Sequence, residues 1–579
     1  MSSAIKNKSN WDEKKKSVFV SILFGVLLLI IYGRNVMQIC TVWELGDEFG
    51  YLNNAAYLVG FNWKEVASKI GYHGFGYSVI LIPLFYICET GVELIRGGII
   101  INYLLIYLIY ALQISAFSKI YPDIKKTYIC IASFLVSLNP YLMANANKIT
   151  CEVMLTMWLL VMTRCLIWTL EKNKKICFTI LSFVSSYVFF IHTRAIIALG
   201  VMCLLIIYMG IRKKIAIGSV VSYFIALFLS FTILYLLKMN IIDFALARNM
   251  RDGQPVVNIV TGQDIYSRIV NLLNLDNLQR YLCGFAARFF YLASSSGMVI
   301  VFGCIESVKY IKINLLNEER KEAYYLVFIF MTFVLTLMAS VVYSGGVGNN
   351  LSYTMYGRYY EHTAVSIIFM GIIYFLWEKS NKYEVLFSFL FVLTCGLITR
   401  ICAVYWENQQ VSFDTARLSG ITYAIESNSD FMKLCMYLVL IQAISCAIYL
   451  LIKNQLLRVF AVMSISLLLI YKNDTKVMEI IRNVNERAEI DAELTQYYIE
   501  NEESDVYIFV DSEYIYPAYY AREQVLLFDK SLKVVQEEEL EAEQNSKYVI
   551  SYINSPFGRK KEEQGELVFR GDCFGIYFR

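Results

Sequence analysis

Charged residues are scarce in this chain of 579 residues, and proline and histidine are scarcer still. Asp, Glu, Lys and Arg together make up 17% of the sequence, against roughly 25% in an ordinary soluble protein. There are 6 Pro and 3 His, whereas hydrophobic residues account for 57% and the mean hydropathy is +0.50. A soluble globule has too little interior for that much apolar side chain, so the composition excludes one and predicts an integral membrane protein.

The sequence also lacks a strong net charge and any metal-ligand spacing. A formal net charge of +3 provides no basic field, which excludes nucleic acid as a partner. Most of the 14 Cys stand inside apolar runs without CxxC spacing, and we interpret them as small buried hydrophobes. No His/Cys cluster has zinc spacing, so we expect no cofactor and no essential transition metal, with a divalent cation as the alternative.

Thirteen apolar stretches are long enough to cross a bilayer, whose core needs about 20 helical residues. A fourteenth, 74–92, contains Pro83 and Glu89. The Lys/Arg-rich loops share one side of the membrane only if this fourteenth stretch does not cross. We therefore predict thirteen crossings in a plasma-membrane protein, with 74–92 re-entrant or interface-lying, a cytoplasmic N-terminus, an uncleaved first helix and an exterior C-terminus. The thirteen include 97–118, 127–147, 195–211 and 215–237, and the others start near Ser17, Val153, Ile176, Phe289, Ala323, His362, Val385, Leu434 and Val459.

Residues 472–579 have a different composition, with 13 Lys+Arg and 23 Asp+Glu. A polar helical stretch at 476–500 precedes a series of short β-type runs, and a helix-like segment at 514–523 separates the first two runs. We predict a transmembrane domain at 1–471 and a small extracytoplasmic α/β domain at 472–579. The β-type runs are Val506–Val510, Val525–Phe528, Tyr548–Ile553, Leu567–Arg570 and Phe574–Phe578.

Two acids follow the first span directly. Asp47 and Glu48 precede Leu52, Ala55 and Ala56, whose helical spacing predicts an amphipathic helix on the outer membrane interface. Acids at such a position are also typical of an N-cap and first turn, where they stabilise the helix dipole. The loop alone does not decide between a structural and a catalytic role.

Further ionisable residues fall on the predicted exterior boundary. Each one singly is typical of a snorkelling side chain or an interhelical pair. Together they indicate an exterior site for a substrate that is part lipid, part phosphate and part polar headgroup. They are His73, Lys148, Glu152, His192, Arg194, Arg358 and His362.

Several of these residues stand in motifs that resemble one family. Gly46-Asp47-Glu48-x-x-Tyr51 resembles the acidic loop of the GT-C membrane glycosyltransferases, which include protein O-mannosyltransferases and the lipid A aminoarabinose transferase. His73-Gly74-Phe75-Gly76-Tyr77 is similar to their His-Pro-Pro-x-Tyr segment, although the proline pair is replaced and Lys69 is the nearest cation. The resemblance covers residues 1–200 in order, with a later match at Arg358. The remaining motifs are Asn139-Pro140 with Lys148 and Glu152, His192-Thr193-Arg194, and Gly357-Arg358-Tyr359-x-Glu361.

The resemblance implies a GT-C-like helical membrane fold and a specific chemistry. It implies transfer of a sugar from a polyprenyl-phosphate carrier to an exterior glycan, lipid or protein, with inversion. Asp47 would be the general base, and Glu48 would orient the acceptor or form an acid pair. We expect Asp47 to face Arg194 and Arg358 across a hollow on the outer surface.

The resemblance also implies which side chains bind the donor. Arg358, Arg194 and then Lys148 would bind the leaving phosphate. Glu152 would position Lys148, bind a sugar hydroxyl or help to hold a divalent ion. His73, His192 and Glu361 complete the predicted substrate-binding set. Acceptor selection is assigned to loops 238–283 and 402–431 and to the C-terminal domain.

Two other classes of protein remain as alternatives. A flippase or transporter needs charges near the bilayer midplane, broken helices and paired structural halves. Arg164 is a deep charge, but no second half resembles the first. A polysaccharide polymerase or O-antigen ligase also uses polyprenyl diphosphates, but usually places its Arg and His in a large later exterior loop. The acids after the first span favour the glycosyltransferase.

Overall fold

The computed structural model describes most of the chain. The described residues are 2–43, 45–70, 72–245, 250–251, 254–255, 278–313, 321–343, 354–377, 381–405, 410–411, 418–424, 429–452, 454–502, 504–511, 518–542 and 546–579. Much of the loops 238–283 and 402–431, to which acceptor selection is assigned, lies outside these ranges.

Residues 2–245 form a succession of helices joined by short turns. The longest helices cross the body of the molecule, and the short helices α2 to α5 lie together between α1 and α6. The helices are α1 (Ser2–Gly33), α2 (Leu45–Val59), α3 (Lys64–Ile70), α4 (Phe75–Ser78), α5 (Leu84–Ile87), α6 (Gly91–Ile120), α7 (Lys126–Ser137), α8 (Pro140–Ala146), α9 (Glu152–Lys172), α10 (Lys175–Ile191), α11 (Ile196–Ile211) and α12 (Ile217–Ala245).

The rest of the chain adds further helices to this bundle and ends in a sheet. Helix α19 is 47 residues long and runs without a break through the predicted domain boundary at 471/472. That division into two domains therefore stays a prediction. The helices are α13 (Leu278–Ser295), α14 (Val299–Ile313), α15 (Lys321–Tyr343), α16 (Glu361–Trp377), α17 (Lys382–Tyr405), α18 (Phe431–Leu451), α19 (Gln455–Asn501), α20 (Ala518–Leu527) and α21 (Pro556–Glu563).

The helices make this a multi-pass membrane protein, but thirteen crossings are not confirmed. Among the described residues, 7 helices are long and apolar enough to span a bilayer, or up to 9 if each of two bent pairs is one span. The bent pairs are α7 with α8, at 54°, and α13 with α14, at 107°. Other apolar helical segments, including α10, α16 and the part of α18 at Cys435–Leu451, have only 10–17 residues. Charge-free runs in the sequence do not reveal such breaks, which explains the difference in number.

The stretch predicted to be re-entrant is broken into short pieces. Helices α4 and α5 are joined by a turn at Val79–Leu81, and together the apolar helical segment covers only Phe75–Ile87. At 1.5 Å per residue this segment is about 20 Å long, short of the roughly 30 Å hydrocarbon core. The segment therefore does not provide a full crossing of its own.

The C-terminal residues form the predicted small α/β domain. Its five strands have the order β6-β5-β7-β9-β8, with β5 parallel to β6 and β7, and β9 antiparallel to β7 and β8. The predicted strand at 525–528 is wrong, because these residues end α20, and β6 was missed. The strands are β5 (Val506–Val510), β6 (Ser531–Val535), β7 (Tyr548–Tyr552), β8 (Leu567–Arg570) and β9 (Phe574–Phe578); the two-residue pairs β1 (Met250–Arg251) with β2 (Gln254–Pro255) and β3 (Gln410–Val411) with β4 (Ser429–Asp430) precede them.

The C-terminal domain lies directly against the short helices between α1 and α6. Helix α20 packs on α2, α3 and α6. Trp63 is buried and donates from Nε1 to the carbonyl oxygen of Phe528 at 2.8 Å. The ring of Phe528 contacts Phe61 and Phe85 at centroid distances of 5.4 and 6.1 Å. Helix α2 was expected to rest on the membrane surface, but it is enclosed between the bundle and this domain.

One disulfide departs from the interpretation of the cysteines as buried hydrophobes. Cys283 of α13 and Cys402 of α17 are bonded, with their Cα atoms 6.4 Å apart. The other described cysteines are free, and Cys130 and Cys446 are buried as expected.

Candidate active site

Four predicted side chains meet in one ion cluster at the end of the bundle that carries the C-terminal domain. Glu152 Oε1 accepts from Arg358 Nε at 2.5 Å and from Arg194 Nη2 at 2.8 Å. Arg358 Nη1 also donates to Asp47 Oδ2. The expected hollow between Asp47 and Arg358 is absent, since the two groups are in direct contact.

Asp47 is the accessible member of this cluster. Its side chain is 37% exposed, whereas Arg358 is 10% exposed and Glu152 is completely buried. Burial by itself would raise the pKa of the Asp47 carboxyl, but Arg358 and His73 outweigh it and hold this pKa well below its ordinary value. Asp47 is therefore an ionised carboxylate that a substrate can reach.

His73 reaches Asp47 because the chain passes very close to two glycines. Its Nε2 lies 3.0 Å from Asp47 Oδ1. A Cβ on Gly50 would lie 2.0 Å from His73 Nδ1, and a Cβ on Gly74 would lie 2.2 Å from the carbonyl oxygen of Ile191. The Gly-Phe pair that replaces two prolines thus lets this segment press against the end of α10.

Cys151, the residue just before α9, holds the start of that helix in place. Cys151 Sγ accepts from the Tyr51 hydroxyl at 2.9 Å, and Tyr51 lies edge-on to His73 with a centroid distance of 5.3 Å. Arg194, in a 3₁₀ turn before α11, reaches both Cys151 Sγ at 3.9 Å and Glu152. Helix α2, the His73 segment and α9 are thereby held in one arrangement around the carboxylates.

Glu361 braces the turn that carries Arg358. This turn, Gly357–Tyr359, leads directly into Glu361 at the start of α16. Glu361 is 3% exposed and accepts from the hydroxyls of Tyr291 at 2.6 Å and Ser419 at 3.2 Å. The Tyr291 oxygen in turn accepts from the Gly420 N–H at 2.8 Å. These contacts hold Glu361 in place beside the turn, and its predicted contact with substrate stays a prediction.

Glu48 and Lys148 are both buried inside the protein. Glu48 is 1% exposed and accepts from the backbone N–H groups of Ile149 at 2.7 Å and Trp43 at 2.5 Å. Lys148 is fully buried, with Nζ 4.9 Å from the centre of the Trp43 ring. Glu152 holds two arginines, and its predicted role in positioning Lys148 stays a prediction. Contact of Glu48 or Lys148 with a substrate remains a prediction.

The two other histidines lie close to Arg194. His192 Nδ1 accepts from the Arg194 backbone N–H at 3.2 Å. Burial and the charge of Arg194 hold the pKa of His192 well below its ordinary value, so its imidazole is neutral. His362 is 3% exposed. Lys69, the cation nearest to His73 in sequence, lies on the exposed surface of α3.

Some buried polar atoms around the cluster have no hydrogen-bond partner within the described part of the chain. Tyr141 is 1% exposed, and its hydroxyl interacts electrostatically with Glu152 and Arg194. Buried polar groups are normally satisfied, so such atoms suit a polar ligand or ordered water. They are Tyr141 Oη, Arg194 Nε and His362 Nδ1.

Sequence reasoning missed Tyr141, Cys151 and Tyr291. The sequence could have pointed to Tyr141 indirectly, because Asn139-Pro140 is typical of a helix start. In the structure this pair begins α8, and Asn139 Oδ1 accepts from the Tyr141 N–H at 3.0 Å. Tyr291 carried no signal, since its partners Glu361 and Gly420 are far away in sequence.

The described part of the chain contains no group of three His, Cys, Asp or Glu side chains arranged to hold a metal ion. This geometry does not test a requirement for a cofactor. The expectation that none is needed stays a prediction.

Comparison with solved structures gives the fold. ArnT from Cupriavidus metallidurans bound to undecaprenyl phosphate aligns with a TM-score of 0.51 and 9% identity, over 96% of this chain and 97% of ArnT. ArnT from the same organism in the apo state aligns with a TM-score of 0.51 and 10% identity over the same shares. The chain has the GT-C fold.

At these identities the likeness to ArnT shows the fold alone, and the activity has to be argued from the site. A weaker likeness is to the archaeal oligosaccharyltransferase AglB from Archaeoglobus fulgidus, solved in complex with an inhibitory peptide and a dolichol-phosphate. Its TM-score is 0.45 and its identity 10%, over 94% of this chain and 70% of AglB. No family model matches the sequence, and no curated protein matches it.

Proposed function

We propose that this chain is a membrane glycosyltransferase that moves a sugar from a polyprenyl-phosphate carrier to an acceptor hydroxyl. The observation that supports this most is the contact of the accessible carboxylate of Asp47 with Arg358, which shares Glu152 with Arg194. The carboxylate that can act as the base thus lies beside cations that can bind an anion. Sugar transfer from a phosphate carrier requires both. The GT-C fold is consistent with the proposal, and ArnT has been crystallised with undecaprenyl phosphate.

The transfer exchanges one bond of the anomeric carbon for another. The acceptor oxygen attacks the anomeric carbon and passes its proton to Asp47 Oδ1 or Oδ2. The bond from that carbon to the carrier phosphate oxygen breaks, and the phosphate leaves with the electron pair. Direct attack from the opposite side inverts the anomeric centre.

Arg358 and Arg194 stabilise the charge that grows on the leaving phosphate. In the present structure these arginines are neutralised by Asp47 and Glu152. A phosphate that binds Arg358 competes with Asp47 for the same guanidinium. Once Arg358 turns to the phosphate, the partly buried Asp47 loses a stabilising charge and becomes a stronger base. Donor binding therefore activates the base.

The neighbouring residues have supporting roles. Glu48 ties the start of α2, which carries Asp47, to the turn before α9, and His73 orients the Asp47 carboxylate. The buried hydroxyl of Tyr141 is suited to a sugar hydroxyl. We assign the acceptor, a cell-envelope glycan, lipid or protein, to the exterior face on which the C-terminal domain lies.

A transporter of the same lipid is the second candidate, because two helix pairs are broken. A crevice lies beside both breaks and is lined by residues that include Asn139, Pro140, Ser295 and Ser296. Carriers of charged headgroups need ionisable groups at such a midplane site. None of the described residues that line this crevice is charged. The lack of charge on these lining residues favours sugar transfer over transport.

Mass spectrometry of polyprenyl-phosphate sugars and envelope glycans, with and without the gene, tests the proposal. Transfer predicts that loss of the gene removes one sugar from an envelope glycan, while a polyprenyl-phosphate sugar accumulates on the outer leaflet. Accumulation confined to the inner leaflet supports the transporter, and unchanged lipids and glycans contradict both.

A further inference from the structure

A second cation is buried near the site, and no counter-charge to it lies among the described residues. Lys238 of α12 is 8% exposed, and its Nζ lies 5.4 Å from the centre of the Tyr72 ring and 5.7 Å from that of Phe189. These are its contacts: no carboxylate and no hydrogen-bond acceptor holds the ammonium within the described part of the chain. Asp243, the acid that follows on the same helix, is exposed.

Two aromatic rings compensate poorly for a buried ammonium. Both distances approach the limit of about 6 Å for an effective cation–π contact. Removing a charge from water costs much more than such contacts return, unless an opposite charge is supplied. A lysine near a helix end usually avoids this cost by extending its ammonium into water, but Lys238 is enclosed. The pocket is therefore incomplete without an anion.

The position of Lys238 identifies the anion. Helix α12 is the most lipid-exposed of the long apolar helices, with only 11% of its apolar window buried, and Phe228, Ile233 and Leu236 on it are exposed. Lys238 lies 21 residues after Ile217, so it is about 32 Å along the helix, the thickness of a hydrocarbon core. That is the depth of lipid phosphates, on the side where Tyr72 precedes His73.

We propose that Lys238, with Tyr72 and Phe189, forms a binding site for a lipid-borne phosphate at the outer rim of the bundle. The acyl or isoprenoid chain of that lipid lies along the exposed face of α12, and its phosphate pairs with the ammonium between the two rings. The site is separate from the Asp47–Arg358 cluster and lies on the other side of the His73 segment. It does not depend on the proposed sugar transfer.

Lipid binding to the purified full-length chain tests this site. The probes are undecaprenyl phosphate, phosphatidylglycerol and diacylglycerol, which lacks a phosphate, measured by native mass spectrometry. The variants are K238Q and, as a matched control, K64Q, which removes an exposed lysine from α3. We expect K238Q to weaken binding of a phosphate-bearing lipid about tenfold, as loss of a charged hydrogen bond does, and K64Q to leave it unchanged.

The source of the phosphate follows from which probe is affected. Weaker binding of phosphatidylglycerol identifies a membrane lipid, and weaker binding of undecaprenyl phosphate alone identifies the carrier. In R358Q the Lys238 site should still bind, which separates it from the proposed active site. Unchanged binding of all probes by K238Q overturns the proposal, as does an equal loss for diacylglycerol.

Thermal unfolding of K238M supplies an independent measure. An ammonium that lacks its anion destabilises the free protein, so K238M should melt no lower than wild type in lipid-free detergent. The rise in melting temperature on adding the phosphate lipid should be lost in K238M. A lower melting temperature without lipid, together with a full response to lipid, would show that Lys238 is only structural.

Discussion

Arg358 contacts the carboxylates of Asp47 and Glu152. The pKa of Asp47 therefore depends on the charge of Arg358. The pKa of Asp47 is low because Arg358 and His73 outweigh burial, so the carboxylate stays charged until the pH falls far below its ordinary value. In R358Q burial is less opposed, and the pKa of Asp47 should rise.

The acid limb of kcat/KM against pH should therefore move to higher pH in R358Q, in addition to the loss of rate. R194Q is the matched control, because Arg194 contacts Glu152 and not Asp47. An acid limb that moves equally in both variants would contradict the assignment of that limb to Asp47.

Glu152 is the residue on which the stability of the cluster depends. It is fully buried and pairs with two guanidinium groups that are 10% and 11% exposed. E152A removes the carboxylate that the two guanidinium groups share. Arg358 keeps Asp47, but Arg194 loses its carboxylate partner among the described residues, so the protein should be destabilised by about 3–5 kcal/mol in detergent unfolding. E171Q breaks the exposed pair with Lys119, which is 2.9 Å long, and should cost about 0–1 kcal/mol. Equal losses in the two variants would contradict the central position of Glu152.

At this scale the sequence located the charged residues and not their partners. Asp47, Glu152, Arg194 and Arg358 stood out because charge beside hydrocarbon is costly, and the structure brings them together. The pairing of Glu152 with two arginines depends on tertiary packing that no local pattern encodes.

At the scale of elements, the His73 segment packs against the end of α10, and Gly74 makes this close contact possible. G74A would place a Cβ 2.2 Å from a backbone oxygen of Ile191, so the segment must shift. A displacement of the order of 1 Å near a reacting group can lower the rate about 100-fold. Transfer should fall strongly in G74A, while G200A, where a Cβ meets nothing within 4 Å, should be normal. Normal transfer by G74A would show that His73 does not position Asp47.

Predictions of strands were confirmed where a short run of apolar and aromatic residues is bounded by turn residues on both sides. The runs 506–510, 567–570 and 574–578 are strands in the structure, because apolar and aromatic residues there lie between turn residues. The run 525–528 is apolar but ends helix α20, since a short apolar run has no distinctive period. Helix α19 continues past Lys472 because it packs first on the bundle and then on the sheet.

At the scale of the whole molecule, the C-terminal domain supports the helix that bears Asp47. Arg522 of α20 pairs with the buried Asp491 of α19 at 2.6 Å, and α20 packs on α2. Burial raises the pKa of Asp491, and Arg522 opposes this rise. R522M leaves that carboxylate without its cation and should destabilise the domain by about 3–5 kcal/mol.

Hydrogen exchange should then show lost protection in α2 as well as in the sheet, and transfer should fall. K530M, which breaks the exposed pair of Lys530 with Asp505, should change neither. Protection lost in the sheet alone would mean that the domain does not support α2.

The sequence predicted a membrane bundle with an α/β domain, but neither its number of crossings nor this docking. The bends in α7–α8 and α13–α14 occur within apolar runs, where composition gives no warning. Docking of α20 on α2 joins residues more than 400 positions apart, as in the bond from Trp63 to Phe528. Such pairings follow from the fold.

The role of Asp47 is tested most directly by the rate at which membranes consume the polyprenyl-phosphate sugar, measured by mass spectrometry for wild type, D47N and D505N. D505N changes an exposed acid of the C-terminal domain and serves as the control. We predict that D47N folds and binds undecaprenyl phosphate but consumes the donor about 10²–10⁴ times more slowly, the usual contribution of a general base, while D505N is normal. Consumption by D47N at the wild-type rate would contradict the proposed mechanism.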